Sequence, residues 1–124
     1  MILLNDFFSI EKIETAGTEA KTELLINAGH KIFEGHFPGQ PVVPGVCMMQ
    51  MVKEIIEQVI EKKTNLVKAQ EMKFLAILDP SKNNSISANI KYTTGENGNL
   101  NIVASLFKDE LMHFKFKGTF AILQ

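Results

Sequence analysis

The sequence predicts an α+β domain in which a curved antiparallel sheet of five or six strands wraps one long helix. Two observations carry this expectation. A single helix-period run, Gly45 to about Lys62, divides the chain, and short strand-like runs bounded by turn residues lie on both sides of it, two before and four after. With 124 residues the chain is expected to form one domain, 1–124, long enough for a sizeable core.

The elements follow in order. Residues 8–15 alternate partly, as a strand does, and Ala16-Gly17-Thr18 supplies a turn. Glu19 to Ile26 then reads as a second strand pairing back on the first. From Asn27 to Pro44 the pattern breaks, because Gly29, Gly35, Gly39, Pro38, Pro41 and Pro44 oppose both a long helix and a central strand. So long a loop in a small domain is usually functional.

The helix comes next. Val52, Ile55, Ile56, Val59 and Ile60 form its apolar stripe, and Pro44 stands where proline is tolerated at a helix start. Its first half, VCMMQMV, is apolar nearly all round and is expected to be buried on most sides. Gln50, Glu54, Glu57 and Glu61 form the opposite stripe, and a polar stripe usually reads as a solvated face, whereas Gln50 stands among Val46, Met49 and Met51 in the buried half and is expected to line the site. Strands are expected at about Asn65–Phe74, Ser85–Tyr92, Leu100–Lys108 and Glu110–Ala121, with mostly hairpin-length connections.

Composition narrows the function classes. Hydrophobic residues make up 45% and charged residues 22%, as in ordinary globular proteins. The net charge is −1, and all thirteen basic residues are scattered lysines, which argues against a nucleic-acid partner. No segment has the roughly 18–20 apolar residues of a membrane span, and MILLNDFFSI has no basic region to begin a signal peptide. With one cysteine, Cys47, no internal disulfide forms, and the chain reads as cytoplasmic and unprocessed. Cys47 is expected to be inert and buried.

None of His30, His36 and His113 has a partner at metal-ligand spacing, so no metal is expected. His113 falls in a strand, on the opposite face from Phe114 and Phe116, and reads as a surface or half-buried residue. His30 reads as an ordinary loop histidine. His36 is set apart by its neighbours in GHFPGQPVVPGVCMMQMVKE, where prolines restrict the path of the chain around it. Histidine suits a general base near neutral pH. At Pro44-Gly45 the helix begins; the first helical N–H groups have no acceptor within the helix, and glycine lets a carbonyl approach closely. A base and an oxyanion donor together suit proton abstraction beside a thioester carbonyl.

HFPGQPVVPGV, His36 to Val46, resembles the signature of the 3-hydroxyacyl-[acyl-carrier-protein] dehydratases of the hotdog fold. EMKFLAILDPSKNNSISANIKY and FKFKGTFAI resemble the strands that follow the helix in that family. The resemblance implies reversible loss of water from a 3-hydroxyacyl thioester to give the trans-2-enoyl product, in fatty-acid or polyketide-like lipid synthesis. It implies no cofactor, and a substrate carried by acyl carrier protein or coenzyme A. It also implies a homodimer with two active sites at the interface, or a trimer of dimers. Carried over by position, His36 is the base and Gly45 the oxyanion donor. Phe37, Pro44, Val46 and Phe74 are the substrate-lining candidates.

The family's acid stands fourteen residues after the histidine, where this chain has Gln50. The family's glutamine, one turn later, is here Glu54. An amide donates and accepts hydrogen bonds but does not titrate. Three routes are open. Glu54 takes over as acid, since positions four apart share a helix face. Alternatively, His36 both removes and returns the proton. In the third, the scaffold serves as an acyl thioesterase, an isomerase or a non-catalytic acyl-binding subunit, with the missing acid supplied by an active paralogue in a heterodimer.

Overall fold

The structure, a computed structural model, describes residues 2–34 and 41–123. Six strands and one α-helix follow in the order β1 (Phe8–Ala16), β2 (Glu19–Ile26), α1 (Gly45–Ile60), β3 (Thr64–Phe74), β4 (Ser85–Thr94), β5 (Leu100–Lys108) and β6 (Leu111–Ile122). They form one antiparallel sheet in the order β1-β2-β4-β5-β6-β3. The expected strands are all present, with ends moved by one or two residues.

One connection differs from the hairpin pattern. β4–β5 and β5–β6 are hairpins, but β3 pairs with β6 at one side of the sheet while β4 pairs with β2. Residues 75–84 therefore carry the chain away from the β3 edge instead of turning it back. The Val43 N–H donates to the Leu78 carbonyl at 2.9 Å, which ties this crossover to the segment entering α1.

Period-two alternation builds the inner face of the sheet. Leu24 and Ile26, Ile86, Ala88 and Ile90, Leu100, Ile102 and Leu106, and Phe114, Phe116 and Phe120 point inward and are buried. They form one cluster with Met48, Met51, Val52, Ile55 and Ile56 of α1, so the helix lies against this face. Val59 and Ile60 of the same stripe pack at its margin, partly buried. Gly118 on β6 is required by close approach: a β-carbon there would collide with the Lys68 carbonyl of β3, beside the register shifts of that strand.

α1 ends earlier than its sequence pattern, at Ile60, because Glu61 takes a left-handed conformation with φ 58°. Within the preceding loop, Lys31–Phe33 makes a single 3-10 turn whose first residue is capped by His30, with the Ile32 N–H donating to Nδ1 at 3.1 Å. His30 Nε2 lies 3.1 Å from Asp6 Oδ2, so both ring nitrogens serve the loop. Among the described residues no helix is long and apolar enough to cross a membrane, and no three His, Cys, Asp or Glu side chains are grouped to hold a metal ion.

Three expectations about burial need correction. His113 is only 3% exposed. It does lie opposite Phe114 in the strand, but the chain leaving β3 covers it: Leu75 N–H donates to the His113 carbonyl and the ring Nδ1–H to the Ala76 carbonyl at 3.1 Å. Glu54 and Glu57, read as part of a solvated stripe, are both buried, because other parts of the chain close over them. Val46, in the half-helix expected to be buried, is 67% exposed at the first turn.

Candidate functional site

The start of α1 is set by Pro44, an extended N-cap residue with φ −62° and ψ 147° and no side-chain capping bond. The N–H groups of Cys47 and Met48 donate to the Pro44 carbonyl at 3.0 and 3.2 Å. Those of Gly45 and Val46 come too early in the helix to find an acceptor within it, and they lie at the positive end of its dipole. Pro44 and Gly45 are half-buried, so this donor end lies near the surface.

Gly45 has a steric reason as well. A β-carbon at this position would stand 2.8 Å from Cε1 of Phe74. The Phe74 ring lies against the bare glycine backbone, stacked on Phe114 at a centroid distance of 5.0 Å and 25° between planes. Gly45, Phe74, Val42, Val43, Met48 and the crossover residues Leu75–Ile77 line an apolar groove of about 300 Å³. Phe74 remains 53% exposed at its mouth. An apolar groove that takes in the first residue of a helix fits a ligand with a polar carbonyl and a hydrocarbon chain. The structure thus brings Gly45 and Phe74 together, with Pro44 preceding Gly45 as the helix N-cap, and leaves Val46 exposed at the first turn.

Gln50 and Glu54 lie on another flank of α1, beside a polar groove of about 590 Å³. Gln50 Nε2 donates to Glu54 Oε2 at 2.8 Å. The Glu54 carboxylate also accepts from the N-terminal segment: the Leu3 N–H reaches Oε1 and Oε2 at 2.9 Å each, and the Leu4 N–H reaches Oε1 at 2.7 Å. The segment is folded to present them, since the Phe7 N–H closes back on the Leu3 carbonyl at 2.7 Å. Glu57 does a similar job one turn on. Its Oε2 accepts from the N–H and the hydroxyl of Thr64, at 2.6 and 3.1 Å, and Lys53 Nζ lies 3.6 Å away. These carboxylates satisfy backbone donors that burial would otherwise strand.

Cys47 is fully buried, and desolvation pushes its thiol pKa up, as suits a packing residue and not a nucleophile. His36 and Phe37 lie outside the described residues. Sequence reasoning missed the contribution of Leu3 and Leu4: two apolar residues act here through their backbone N–H groups, which no side-chain pattern reveals.

Comparison with known proteins adds the family. The model of the ApeI-like family, described as ApeI dehydratase, matches residues 12–116. The 3-hydroxyacyl-[acyl-carrier-protein] dehydratase FabZ of Chloroflexus aggregans is 40% identical over 38 residues, 31% of this chain and 26% of that protein. The chain thus aligns with only about a quarter of the length of the curated relatives it matches. Among solved structures, the dehydratase heterocomplex ApeI:P from Xenorhabdus doucetiae superposes with a TM-score of 0.69 at 22% identity, covering 89% of this chain and 95% of that one. An uncharacterized protein from Pyrococcus horikoshii gives 0.68 at 15% identity, over 96% and 85% of the two chains. These likenesses establish the hotdog fold.

Proposed function

The chain belongs to the ApeI-like dehydratase family, and from this premise we propose that it removes water from 3-hydroxyacyl thioesters to give trans-2-enoyl thioesters. The observation that carries the reading is that Gly45, the first residue of α1, lines the apolar groove beside Phe74. In this reading the thioester oxygen accepts from the Gly45 N–H, and the acyl chain runs along Phe74 and Val43. His36 takes the α-proton, and the electron pair of that C–H bond becomes the new C=C bond. The C3–O bond breaks, and the same imidazolium returns its proton to the departing hydroxyl, which leaves as water. Within one chain Gln50 lies on another flank of α1 from Gly45, so in this reading the Gln50 that holds the hydroxyl comes from the other subunit of a dimer. Glu54 is poorly suited to act as the acid, because both its oxygens already receive hydrogen bonds.

The carrier in this reading is acyl carrier protein or coenzyme A, the setting is cytoplasmic lipid synthesis, and the working unit is a homodimer or a trimer of such dimers. β3 supports the dimer: it is an edge strand of 11 residues with Leu66, Val67, Met72 and Phe74 exposed, and a long apolar edge calls for a partner. A second reading has one specific support, the absence of an acid at Gln50. The chain then pairs with a dehydratase paralogue that supplies the acid, as a heterocomplex like the one named for the Xenorhabdus doucetiae structure.

Mass spectrometry of the purified chain with a 3-hydroxyacyl carrier-protein thioester tests the proposal. Loss of one water by the wild type, abolished in His36→Ala, is the expected result. Turnover only after a paralogue is added would replace the first reading with the second. Release of the carrier thiol without dehydration would make the chain a thioesterase.

A further inference from the structure

His113 is buried, and it has no part in the proposed reaction. It stands on β6 next to Phe114, and successive residues point to opposite faces of a strand. The two grip the end of β3 from these two sides. The Phe114 ring stacks on Phe74 at 5.0 Å, and His113 Nδ1 lies 3.1 Å from the Ala76 carbonyl. The His113 carbonyl also accepts from the Leu75 N–H at 2.9 Å, which carries the β3–β6 pairing one residue past the strand. Leu75, Ala76 and Ile77 are in turn a wall of the groove shared by Gly45, Met48 and Phe74. A carbonyl only accepts hydrogen bonds, so Nδ1 carries the proton in this contact. Nε2 is buried and has no hydrogen-bond partner among the described residues. That is costly, and an apolar side chain would avoid the cost. Packing alone therefore does not account for a histidine here, and the Nδ1–H donor does.

We propose that His113 is a positioning residue for the acyl groove: its Nδ1–H holds the Ala76 carbonyl and so fixes the Leu75–Ile77 wall, which selects the acyl chains that fit. This inference rests on the dehydratase reading above. The wall is tied at both ends. His113 holds it beside β3, and the Val43 N–H holds the Leu78 carbonyl at 2.9 Å at the other end. Between these ties the side chains of Leu75 and Ile77 are 52% and 74% exposed, so packing does little to hold them. Fixing the backbone between them fixes where they stand. Val43 and Met48 line the same groove but are buried, and they make a floor that does not depend on His113. His113 itself is outside the groove lining, so it acts on the acyl chain only through the wall.

Two substitutions separate the donor from the packing. His113→Leu fills the space without a donor, whereas His113→Asn is smaller and keeps an N–H near the Nδ1 position. The full chain is assayed with 3-hydroxybutyryl and 3-hydroxydecanoyl carrier-protein thioesters, with urea unfolding alongside. His113→Leu is expected to raise KM for the better substrate by about 3- to 10-fold, the worth of one ordinary hydrogen bond, with kcat little changed. The ratio of kcat/KM between the two substrates is expected to move toward one. His113→Asn is expected to keep the wild-type ratio, although the cavity it leaves makes it the less stable variant. A histidine that only packs would give the reverse order, with His113→Leu like the wild type and His113→Asn impaired. That result overturns the proposal and leaves the dehydratase reading intact, as does an unchanged KM and ratio in His113→Leu. If His113→Leu does not fold, nitrogen NMR of the wild-type ring decides: a proton on Nδ1 and none on Nε2 is expected, and the opposite tautomer overturns the proposal. Absence of turnover in the wild type overturns both this inference and the function it rests on.

Discussion

The first turn of α1 and the turns that follow it use opposite halves of the hydrogen bond. At Gly45 and Val46 the helix offers backbone donors, beside a groove walled by Phe74 and Val43. At Glu54 and Glu57 it offers side-chain acceptors, and the chain itself has filled them with the N–H groups of Leu3, Leu4 and Thr64. Glu54 and Glu57 are therefore braces for backbone outside the helix, while an uncharged glycine marks the place best fitted to a ligand. Charge on a helix face is a poor guide to chemistry when other parts of the chain close over it.

The comparison can be broken most forcefully at Glu54. Glu54→Leu leaves the Leu3 and Leu4 N–H groups without an acceptor, and each buried unsatisfied donor costs about 1–3 kcal/mol, so a loss of about 2–5 kcal/mol is expected in urea unfolding. An unchanged midpoint would show that the N-terminal segment does not depend on this carboxylate. Glu57→Leu strands the N–H and the hydroxyl of Thr64 and should also destabilise the fold.

Gly45 sharpens the other side. Gly45→Ala drives a methyl group into the Phe74 ring and is expected to cost about 1–3 kcal/mol, the usual range for overpacking. Adding Phe74→Ala should make the alanine less damaging, as a stability cycle would record. If the two changes are simply additive, the ring is not what requires glycine there.

The smallest effect lies far from the helix, at a carboxylate outside its buried flank. The side-chain hydrogen bond from Ser81 holds the Asp79 carboxyl below its ordinary value of 3.8, helped by the backbone N–H of Ser81 and by Lys82, with desolvation opposing. A lowered folded-state pKa contributes stability that is fully present above the unfolded value and is lost as pH falls through the folded one. Ser81→Ala is therefore expected to lower Tm slightly at pH 7 and to make little difference in acid strong enough to protonate Asp79. A deficit of equal size in acid would mean that the serine acts independently of the charge.

Much of the site was legible beforehand only as a motif. Pro44-Gly45 announces a helix start because proline and glycine act locally, and Phe74 entered as a substrate-lining candidate through family likeness. That its ring rests on Gly45 is a contact between residues 29 positions apart, brought together when the strand it ends passes the helix start. The stripe of Gln50, Glu54 and Glu57 was seen correctly as one face of a helix. What lies on that face was not legible, since a helical wheel gives directions without neighbours.

The order of strands and helix, and nearly all their boundaries, follow from the sequence alone, because period-two and helical alternation and turn chemistry are properties of neighbouring residues. Tertiary structure alone decided the rest. It buried His113 beneath the crossover that holds its ring through the Ala76 carbonyl. It also set the backbone of Leu3 against Glu54, across 51 residues of sequence. The reason is physical: leaving a buried polar atom unpaired is costly, as at His113 Nε2, which has no hydrogen-bond partner among the described residues, and in a folded chain the partner is whatever the packing brings within reach.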